Sequence, residues 1–533
     1  MRLAFLAVSL WLAGGLTAAQ RDAAGLYARH CGKCHDPDRA GQTPTINELR
    51  LLPPEEILGA MLTGTMKQPA ERLSDEEKRA LAEWIAGRAL GSAPNTLRVD
   101  YRHRGDARHE EFSLDGLWRE GEWAGPQRPG TAGLNLGKYR FVVRYVRDGR
   151  LHYAGGFSSI YGEWETTAEA KKRTREFHES VRFPMPRAPV RVVIEKRDRR
   201  NRFQPVWSTV VRPEQARRVA VPGGLKAEPL MKNGDPAGKV DLLVLGDGYT
   251  AAEMKTWRAD ASRAVEALFS VSPFRERRQD FNVWILDTPA ARSGVSRPSN
   301  GIERTSPLHA TYDALGSERY VLVFDDKHLR DIAAAAPYDF LLILVNERKY
   351  GGGGIYNLYA TAAAHNAFTP YLIVHEFAHH FAGLADEYYT SDVAYELDPD
   401  APEPWEPNVT RDPKADKWAD LLAPGIPLPT PWPKAEFERR QQQTQAKRRR
   451  LRAGGASEQE LEQLFREERE WTTKLLSQAK YAGKVGAFEG ANYSPRGFYR
   501  PQVDCLMFTR DDVGFCAVCR RAIERVIDLY TGR

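Results

Sequence analysis

The chain has 533 residues, of which 42% are hydrophobic and 28% are charged. This balance is typical of a globular protein and excludes a disordered or fibrous chain. The length predicts roughly two to four domains. The net charge of +6 is small for this length, and no basic stripe is interleaved with aromatic residues, so nucleic acid is not expected as a partner.

The N-terminus has the pattern of a secretory signal peptide, which we assign to residues 1–19. A basic residue, Arg2, precedes an apolar run over residues 3–16, and small residues follow at 17–19. That order is typical of a cleaved export signal. The run is short for a membrane span, and no later segment has the length and apolarity to cross a bilayer. We therefore expect an exported protein, periplasmic or extracellular, that does not span a membrane.

The motif Cys31-Gly32-Lys33-Cys34-His35 has the C-x-x-C-H spacing of a c-type haem attachment site. Cys31 and Cys34 would bond to the two vinyl groups of one haem, and His35 would be an axial ligand of its iron. The alternative is a disulfide loop with a chance histidine. Export favours covalent haem, because c-type haem is attached outside the cytoplasm.

The surrounding residues predict a small all-α haem domain over residues 20–92. A helix is expected at 23–30, and Ser74 with Glu77 forms a capping box that begins another helix. The segment resembles cytochrome c, in which a late loop supplies a methionine sulfur to the iron. The resemblance implies Met66 as that ligand, whereas Met61 is assigned to packing. A thioether ligand raises the reduction potential, which suits electron transfer with a redox partner.

Residues 97–215 predict a β-sandwich. Apolar and polar residues alternate over 138–146, a second strand is expected at 190–195, and Asp148-Gly149 is a hairpin signal. Several short strands separated by turn residues favour a sandwich, and none of its residues forms a catalytic motif.

Residues 222–533 predict an α/β domain. Continuous apolar runs at 240–245, 281–286 and 340–345 indicate buried strands, and a helix is expected from 251 to about 269. Such runs predict a sheet that is covered on both faces. Residues 434–480 are expected to form a helical hairpin insertion. Its basic cluster, 447–452, is interpreted as a solvated face, with a docking site for a partner as the alternative. The proline-rich stretch at 402–433 is expected to be a surface loop near the active site.

The decisive motif is H-E-x-x-H, formed by His375, Glu376 and His379. Residues four apart on a helix lie on one face, so both imidazoles can reach a single ion. Glu376 is then placed to take a proton from water as general base. This arrangement is the core of a zinc hydrolase, most often a peptidase.

Catalytic zinc needs a third protein ligand. In the pattern H-E-x-x-H-x-x-G-x-x-H the last ligand stands three residues after the glycine. Gly383 falls one position later than that pattern requires, but Asp386 still stands three residues beyond it. We assign the zinc ligands as His375, His379 and Asp386. Glu387 is the reserve candidate, and His380 is expected to point elsewhere.

Two further segments bear on the site. The run Gly351-Gly352-Gly353-Gly354 allows the backbone to pass close to another group, which we expect to be extended substrate along a sheet edge. The alternative is that the run is only a flexible loop. Tyr388 and Tyr356 are candidates for holding the oxyanion, although core packing is the stronger interpretation for each.

Several motifs together resemble the family typified by bacterial immunoglobulin A peptidase, a metzincin-like zinc peptidase family. They are Gly246-Asp247-Gly248-Tyr249-Thr250, the glycine run continuing to Asn357, residues 375–388, Cys505-Leu506-Met507 and Phe515-Cys516-Ala517-Val518-Cys519. Residues 155–160 and 182–198 resemble the N-terminal sandwich of that family. The resemblance covers about 100–533 and implies zinc endopeptidase activity on a protein or peptide, with Met507 forming a floor beneath the histidines.

Cys505, Cys516 and Cys519 are expected to contain one disulfide in an oxidising compartment, and the sequence does not choose the pair. A structural zinc at these thiols is disfavoured because the sequence shows no fourth ligand of suitable type.

The leading hypothesis is therefore an exported zinc endopeptidase fused to a cytochrome c domain. Two alternatives remain open. The first is a redox or electron-transfer protein whose peptidase fold only binds, and the second is a cell-envelope scaffold.

Overall fold

The structure is a computed structural model that describes residues 19, 22–35, 43–50, 52, 54–86, 90, 93–126, 130–390 and 401–533. Apart from residue 19, the signal peptide prediction lies outside the described residues. The chain folds as two compact units. One holds Met1–Pro94 and Pro186–Ala188, and the other holds Asn95–Met185 and Pro189–Arg533.

The N-terminal unit is helical. Its described helices are α1 (Ala23–His30), α2 (Ile46–Leu49), α3 (Pro54–Leu62) and α4 (Asp75–Ala86). The expected capping box of α4 is present: the Glu77 N–H donates to Ser74 Oγ at 3.2 Å, and the Ser74 N–H donates to Glu77 Oε2 at 2.8 Å. Met61 is buried in the core with Leu26 and Leu81, which confirms its assignment to packing.

The second unit begins with two four-stranded sheets. They have the orders β5-β1-β2-β8 and β4-β3-β6-β7. Their elements are β1 (Asn95–Gly105), β2 (Glu110–Glu122), β3 (Tyr139–Tyr145), β4 (Leu151–Phe157), α5 (Ile160–Trp164), β5 (Arg175–Pro184), β6 (Val190–Arg197), β7 (Phe203–Val211) and β8 (Arg217–Arg218). Phe141 of one sheet packs on Phe183 of the other, with ring centroids 6.2 Å apart. The sheets thus pack face to face, and the hairpin at Asp148-Gly149 is confirmed.

The rest of this unit is built on a six-stranded mixed sheet of order β15-β16-β14-β10-β11-β9. The elements are β9 (Glu228–Met231), β10 (Val240–Asp247), α6 (Met254–Phe269), β11 (Phe281–Leu286), β12 (Ala310–Thr311), β13 (Leu322–Val323), α7 (Asp326–Ala333), β14 (Phe340–Val345), β15 (Gly352–Ile355), β16 (Tyr359–Ala363), α8 (Thr369–Ala382), α9 (Lys434–Ala453), α10 (Glu458–Ser477), β17 (Phe488–Ala491), β18 (Ser494–Arg500) and α11 (Ala517–Thr531). The three predicted buried strands are confirmed.

Alternate residues of the central strand β10 enter two different cores. Leu242 and Val244 pack in the core that contains α6, α8 and α11. Leu243 and Leu245 pack in a second core with α7 and with Trp164 of α5. Both faces of the sheet are therefore covered, as the unbroken apolar runs predict.

A buried ionic contact also joins the sandwich to α7. The guanidinium of Arg98 on β1 is fully buried and lies 2.9 Å from Asp100, 3.2 Å from Glu120 and 2.5 Å from Asp331. Asp331 belongs to α7, so the sandwich is fixed against the sheet domain.

The helical insertion packs against the domain rather than projecting from it. Glu462 of α10 accepts a hydrogen bond from the Ala367 N–H, just before α8, at 3.0 Å. The interpretation of 447–452 as a solvated face is wrong at Arg448, which is only 8% exposed. Its guanidinium lies over the Phe465 ring of α10, 5.9 Å from the centroid, and 3.6 Å from the carboxylate of Glu318.

The expectation of a surface loop near the active site over 402–433 is confirmed in part. Most of the segment is partly or fully exposed, and Trp405 and Arg411 line the same cavity as His375, but the segment also has buried anchors. Asn408, Val409 and Trp418 are all completely buried. The segment is irregular in backbone, but these three side chains anchor it in the interior.

In the part of the chain that the structure describes, no helix is both long and apolar enough to cross a membrane.

Candidate metal centre

Helix α8 carries the two histidines on one face. Its apolar residues Leu372, Phe377 and Phe381 are buried against the sheet. His375 and His379 are one turn apart and point to the other side, where their Nε2 atoms lie 3.1 Å from each other.

The chain then turns back at Gly383, which ends α8 in the left-handed region with φ 59°. A Cβ at this position would lie 2.7 Å from the Trp405 ring, so both the backbone conformation and the space require glycine. The turn brings Asp386 back beneath the helix. Its Oδ1 lies 2.9 Å from His375 Nε2 and 3.2 Å from His379 Nε2.

The strap after the helix, residues 384–388, is fixed by a buried amide. Asn408 Oδ1 accepts from the Ala385 N–H at 2.8 Å, and Asn408 Nδ2 donates to the Ala385 carbonyl at 2.9 Å and to Glu387 Oε1 at 3.0 Å. Glu387 thus points away from the histidines. The structure brings Asp386, and not the reserve candidate Glu387, to the two imidazoles.

Both imidazoles are oriented through their other nitrogen. His375 Nδ1 lies 3.3 Å from the Leu506 carbonyl and 3.1 Å from the Tyr371 hydroxyl. His379 Nδ1 lies 2.5 Å from the Leu384 carbonyl. A carbonyl can only accept, so each Nδ1 carries a proton, and Nε2 is the nitrogen that each ring leaves for a metal ion in the shared space.

These residues fit a divalent cation. Two lone pairs and a carboxylate oxygen that face one another repel unless a positive charge lies between them. A tetrahedral ion with bonds of about 2.0–2.1 Å separates its ligand atoms by about 3.3 Å, close to the spacing in this cluster. Burial raises the pKa of Asp386, but the positive charges of protonated His379 and His375 outweigh it and hold that pKa well below its ordinary value. Burial lowers the pKa of His379, but Asp386 outweighs it and raises that pKa to about 9. The pocket thus favours positive charge, and a divalent cation would replace these protons.

Glu376 lies beside this cluster, half-buried under the edge strand β15. Burial raises its pKa above that of an ordinary glutamate, although the charges of His375 and His379 oppose the shift. A Cβ at Gly354 would lie 2.1 Å from the Glu376 carbonyl oxygen. The glycines therefore let β15 pack on α8, which replaces the interpretation of a flexible loop.

Part of the outer edge of β15 is already bonded within the protein. The Gly352 N–H donates to the Arg319 carbonyl at 3.0 Å, and the Gly352 carbonyl accepts from the Val321 N–H at 3.2 Å. Because both backbone groups of Gly352 are already hydrogen-bonded, extended substrate cannot pair with the edge of β15 at this residue.

His380 points into the core, as its position on the helix predicts. Its Nδ1 lies 3.1 Å from the Ile355 carbonyl, and its Nε2 accepts from the Leu341 N–H at 3.1 Å. The residue ties α8 to the sheet and takes no part in the cluster.

Two tyrosines at the site were missed from the sequence. Tyr371 stands four residues before His375, a spacing that does signal a contact. Tyr493 is at the tip of the β17–β18 hairpin, where Asn492 and Tyr493 have φ of 50° and 62°. Its hydroxyl donates to Asp386 Oδ2, and the Asn492 N–H donates to the Asp386 carbonyl at 3.0 Å.

The turn at 505–507 lies next to the cluster. Met507 is completely buried, and its carbonyl accepts from the Glu387 N–H at 2.9 Å. Of the two phenols considered for the oxyanion, Tyr388 lies nearer the metal ligands. Its ring stacks 6.2 Å from His375, whereas Tyr356 packs on Trp405.

The expected disulfide near this turn is wrong. Cys505 Sγ and Cys519 Sγ are 3.9 Å apart, and the thiols of Cys505, Cys516 and Cys519 are free. The three thiols and the carboxylate of Glu387 form one cluster, whose ligand atoms all lie within 4.8 Å of one another.

The predicted haem residues lie together at the end of α1. Cys31 is half-buried and Cys34 is exposed. His35 is 6% exposed, and its Nδ1 lies 2.5 Å from the Pro44 carbonyl. This contact leaves His35 Nε2 for iron, and Met66 packs on the same core. The residues fit a c-type haem.

The comparisons with protein families agree with both sites. Residues 229–527, more than half of the chain, match the family described as IgA Peptidase M64. The chain belongs to this family. Residues 91–208 match the M64 peptidase N-terminus, and residues 18–85 match cytochrome C oxidase, cbb3-type, subunit III. No curated protein matches the chain.

The cluster of His375, His379 and Asp386 in this M64 peptidase opens into a cleft of about 840 Å³. Ser158 and Arg197 of the sandwich form part of its wall, and Gln441 and Thr472 of the helical insertion form another part. The insertion and the N-terminal sandwich therefore both contribute to the surface that a substrate would contact.

The substitution Tyr493→Phe tests the role of the hairpin tip. It removes the hydroxyl that orients Asp386, and loss of such a contact typically lowers metal affinity about 10–100-fold. We expect a loss of this size in the affinity for zinc, measured by competition with a chelator, in a protein that remains folded. Tyr481→Phe, which removes a phenol outside the cleft, is the matched control. Equal affinities for the Tyr493→Phe variant and the parent would contradict the assignment.

Proposed function

We propose that this chain is an exported, zinc-dependent endopeptidase of metzincin-like type that carries a covalently attached c-type haem. The observation that carries the peptidase proposal is the convergence of His375, His379 and Asp386 on one point, with the Glu376 carboxyl beside it. The H-E-x-x-H helix, the turn at Gly383 and the buried Met507 near the histidines support the metzincin-like assignment.

Zinc held by His375, His379 and Asp386 would supply Lewis acidity, which polarises a peptide carbonyl and makes water more acidic. Glu376 is the general base: its carboxylate takes one proton from the attacking water and later gives it to the nitrogen of the leaving amine. Because burial raises the pKa of Glu376, its carboxylate is a stronger base toward the attacking water. Asp386 and the two Nδ1 contacts keep the ligand atoms in place.

The proposed substrate is a protein or peptide, since the family is one of peptidases and the cleft is lined by both Glu376 and the metal-binding cluster. The alternative of a binding or redox protein that has lost catalysis does not require a carboxyl at position 376. The retention of Glu376 beside the cluster supports catalysis.

The substitution Glu376→Gln distinguishes a peptidase from a binding or redox protein that does not catalyse hydrolysis. It preserves the shape of the side chain but removes the proton acceptor, so zinc content should be unchanged while hydrolysis falls by at least about 10²–10⁴-fold. Zinc is measured by elemental analysis, and cleavage of casein is followed with and without a chelator.

Glu470→Gln is the matched control, because Glu470 is an exposed glutamate on α10. It should retain both zinc and activity. Turnover of the Glu376→Gln variant at the rate of the parent would remove Glu376 from the mechanism.

The haem proposal rests on the C-x-x-C-H motif and on the contact of His35 Nδ1 with the Pro44 carbonyl, which fixes the ring. Cys31 and Cys34 would hold the group through thioether bonds, and Met66 would be the second axial ligand. An electron-transfer or redox-sensing role with a separate redox partner follows from that ligand pair. Attachment of haem outside the cytoplasm supports export and a periplasmic or extracellular location.

The substitution Met66→Ala tests the axial ligand. The absorption spectrum of the reduced protein should change, whereas Met61→Leu, a conservative change in the core, should leave it as in the parent. An identical spectrum for the Met66→Ala variant would reject the sulfur ligand.

The intact mass of the purified protein should correspond to a chain beginning at Gln20 with one haem added.

A further inference from the structure

A second cluster of metal-ligating side chains lies behind the strap. The thiols of Cys505, Cys516 and Cys519 and the carboxylate of Glu387 are buried, and their ligand atoms all lie within 4.8 Å of one another. Cys505 Sγ and Cys519 Sγ are 3.9 Å apart, and Glu387 Oε1 lies 3.4 Å from Cys519 Sγ and 4.0 Å from Cys516 Sγ. In a tetrahedral zinc site with bonds of about 2.3 Å to sulfur and 2.1 Å to oxygen, the corresponding edges are about 3.8 Å and 3.6 Å.

The local backbone favours thiolates. Cys516 is the N-cap of α11, and its sulfur accepts from the Cys519 N–H at 3.4 Å. Cys505 Sγ accepts from the Cys516 N–H at 3.3 Å. Amide donors and the positive end of a helix stabilise negatively charged sulfur, which is the form that binds metals.

Glu387 provides an independent observation that favours a cation at this cluster. Its side chain is completely buried, and Oε2 has no hydrogen-bond partner among the residues that the structure describes. Its Oε1, the oxygen nearest the thiols, accepts from Asn408 Nδ2 at 3.0 Å. A buried carboxylate with one oxygen unsatisfied is costly unless a cation meets it. The buried guanidinium of Arg500 interacts electrostatically with Glu387 and Cys505, so it offsets the negative charge of three thiolates and a carboxylate around one divalent ion.

We propose that Cys505, Cys516, Cys519 and Glu387 bind a structural zinc ion. With four protein ligands the site is closed, as in structural zinc sites, and keeps no position for substrate. The thiols release their protons to solvent as the ion binds, and no group is oxidised or reduced. The fourth ligand, Glu387, comes from the strap and follows Asp386. It is far from the three cysteines along the chain, so no local sequence motif reveals it.

This ion would join three segments that position the catalytic cluster. Glu387 follows Asp386 in the strap, Cys505 opens the turn whose Leu506 carbonyl orients His375, and Cys516 begins α11. One ion at their junction fixes the strap and the turn relative to each other. The proposal does not depend on catalysis at the first cluster.

Zinc stoichiometry tests this site in the full-length haem protein. The parent should contain two zinc ions per chain by elemental analysis. The double variant His375→Ala/His379→Ala should retain one, and Cys505→Ser/Cys519→Ser should lose one relative to the parent. Val526→Ala, which trims a buried side chain of α11 outside the cluster, is the control and should keep two.

X-ray absorption at the zinc edge gives a readout that needs no cysteine variant. Zinc retained by the double histidine variant, and part of the zinc in the parent, should show sulfur neighbours at about 2.3 Å. Only nitrogen and oxygen neighbours in the parent would overturn the proposal. A disulfide among the three cysteines in non-reducing mass spectrometry would overturn it as well. Neither result would affect the peptidase proposal, which the Glu376→Gln assay tests separately.

Discussion

The two imidazoles of α8 and the carboxylate of Asp386 occupy one small space, and much of the catalytic unit is arranged to keep them there. Two imidazole nitrogens and an anionic oxygen about 3 Å apart need positive charge between them, which protons supply in the metal-free site and a divalent cation would supply in the loaded one. Each neighbouring contact restrains one member of this set. The Leu506 and Leu384 carbonyls orient the rings, and Tyr493 holds the carboxylate.

The backbone segments that hold Asp386 against the helix adopt conformations that are rare for their residue types or are closely packed. Gly383 is left-handed and closely packed, Asn408 bonds to both sides of Ala385, and Tyr493 stands in a left-handed conformation that few tyrosines adopt. Such conformations persist where surrounding contacts enforce them, and they concentrate at functional sites. The sandwich and the helical insertion then complete the cleft, so elements outside the metal motif shape what can approach it.

Local patterns allowed much of this to be predicted. The apolar runs predicted the buried strands, and the i, i+4 spacing placed His375 and His379 on one face because both features depend only on nearby residues. Asp386 was found from its spacing after Gly383. Tyr493 was not, because a hairpin tip far along the chain reaches the site through tertiary packing alone. The same reason explains two features that the sequence did not reveal. Glu387 joins three cysteines that the sequence separates from it, and the residues at 402–433 carry turn-like prolines beside the buried anchors Asn408 and Trp418.

The central claim is that His375, His379 and Asp386 share one divalent ion, and anomalous diffraction from crystals of the zinc-loaded protein tests it most directly. Data collected above and below the zinc absorption edge separate zinc from haem iron. The account predicts a peak within about 2.3 Å of both Nε2 atoms and one Asp386 oxygen. A map with no zinc peak at that point, or with the Asp386 side chain turned away from it, would contradict the account.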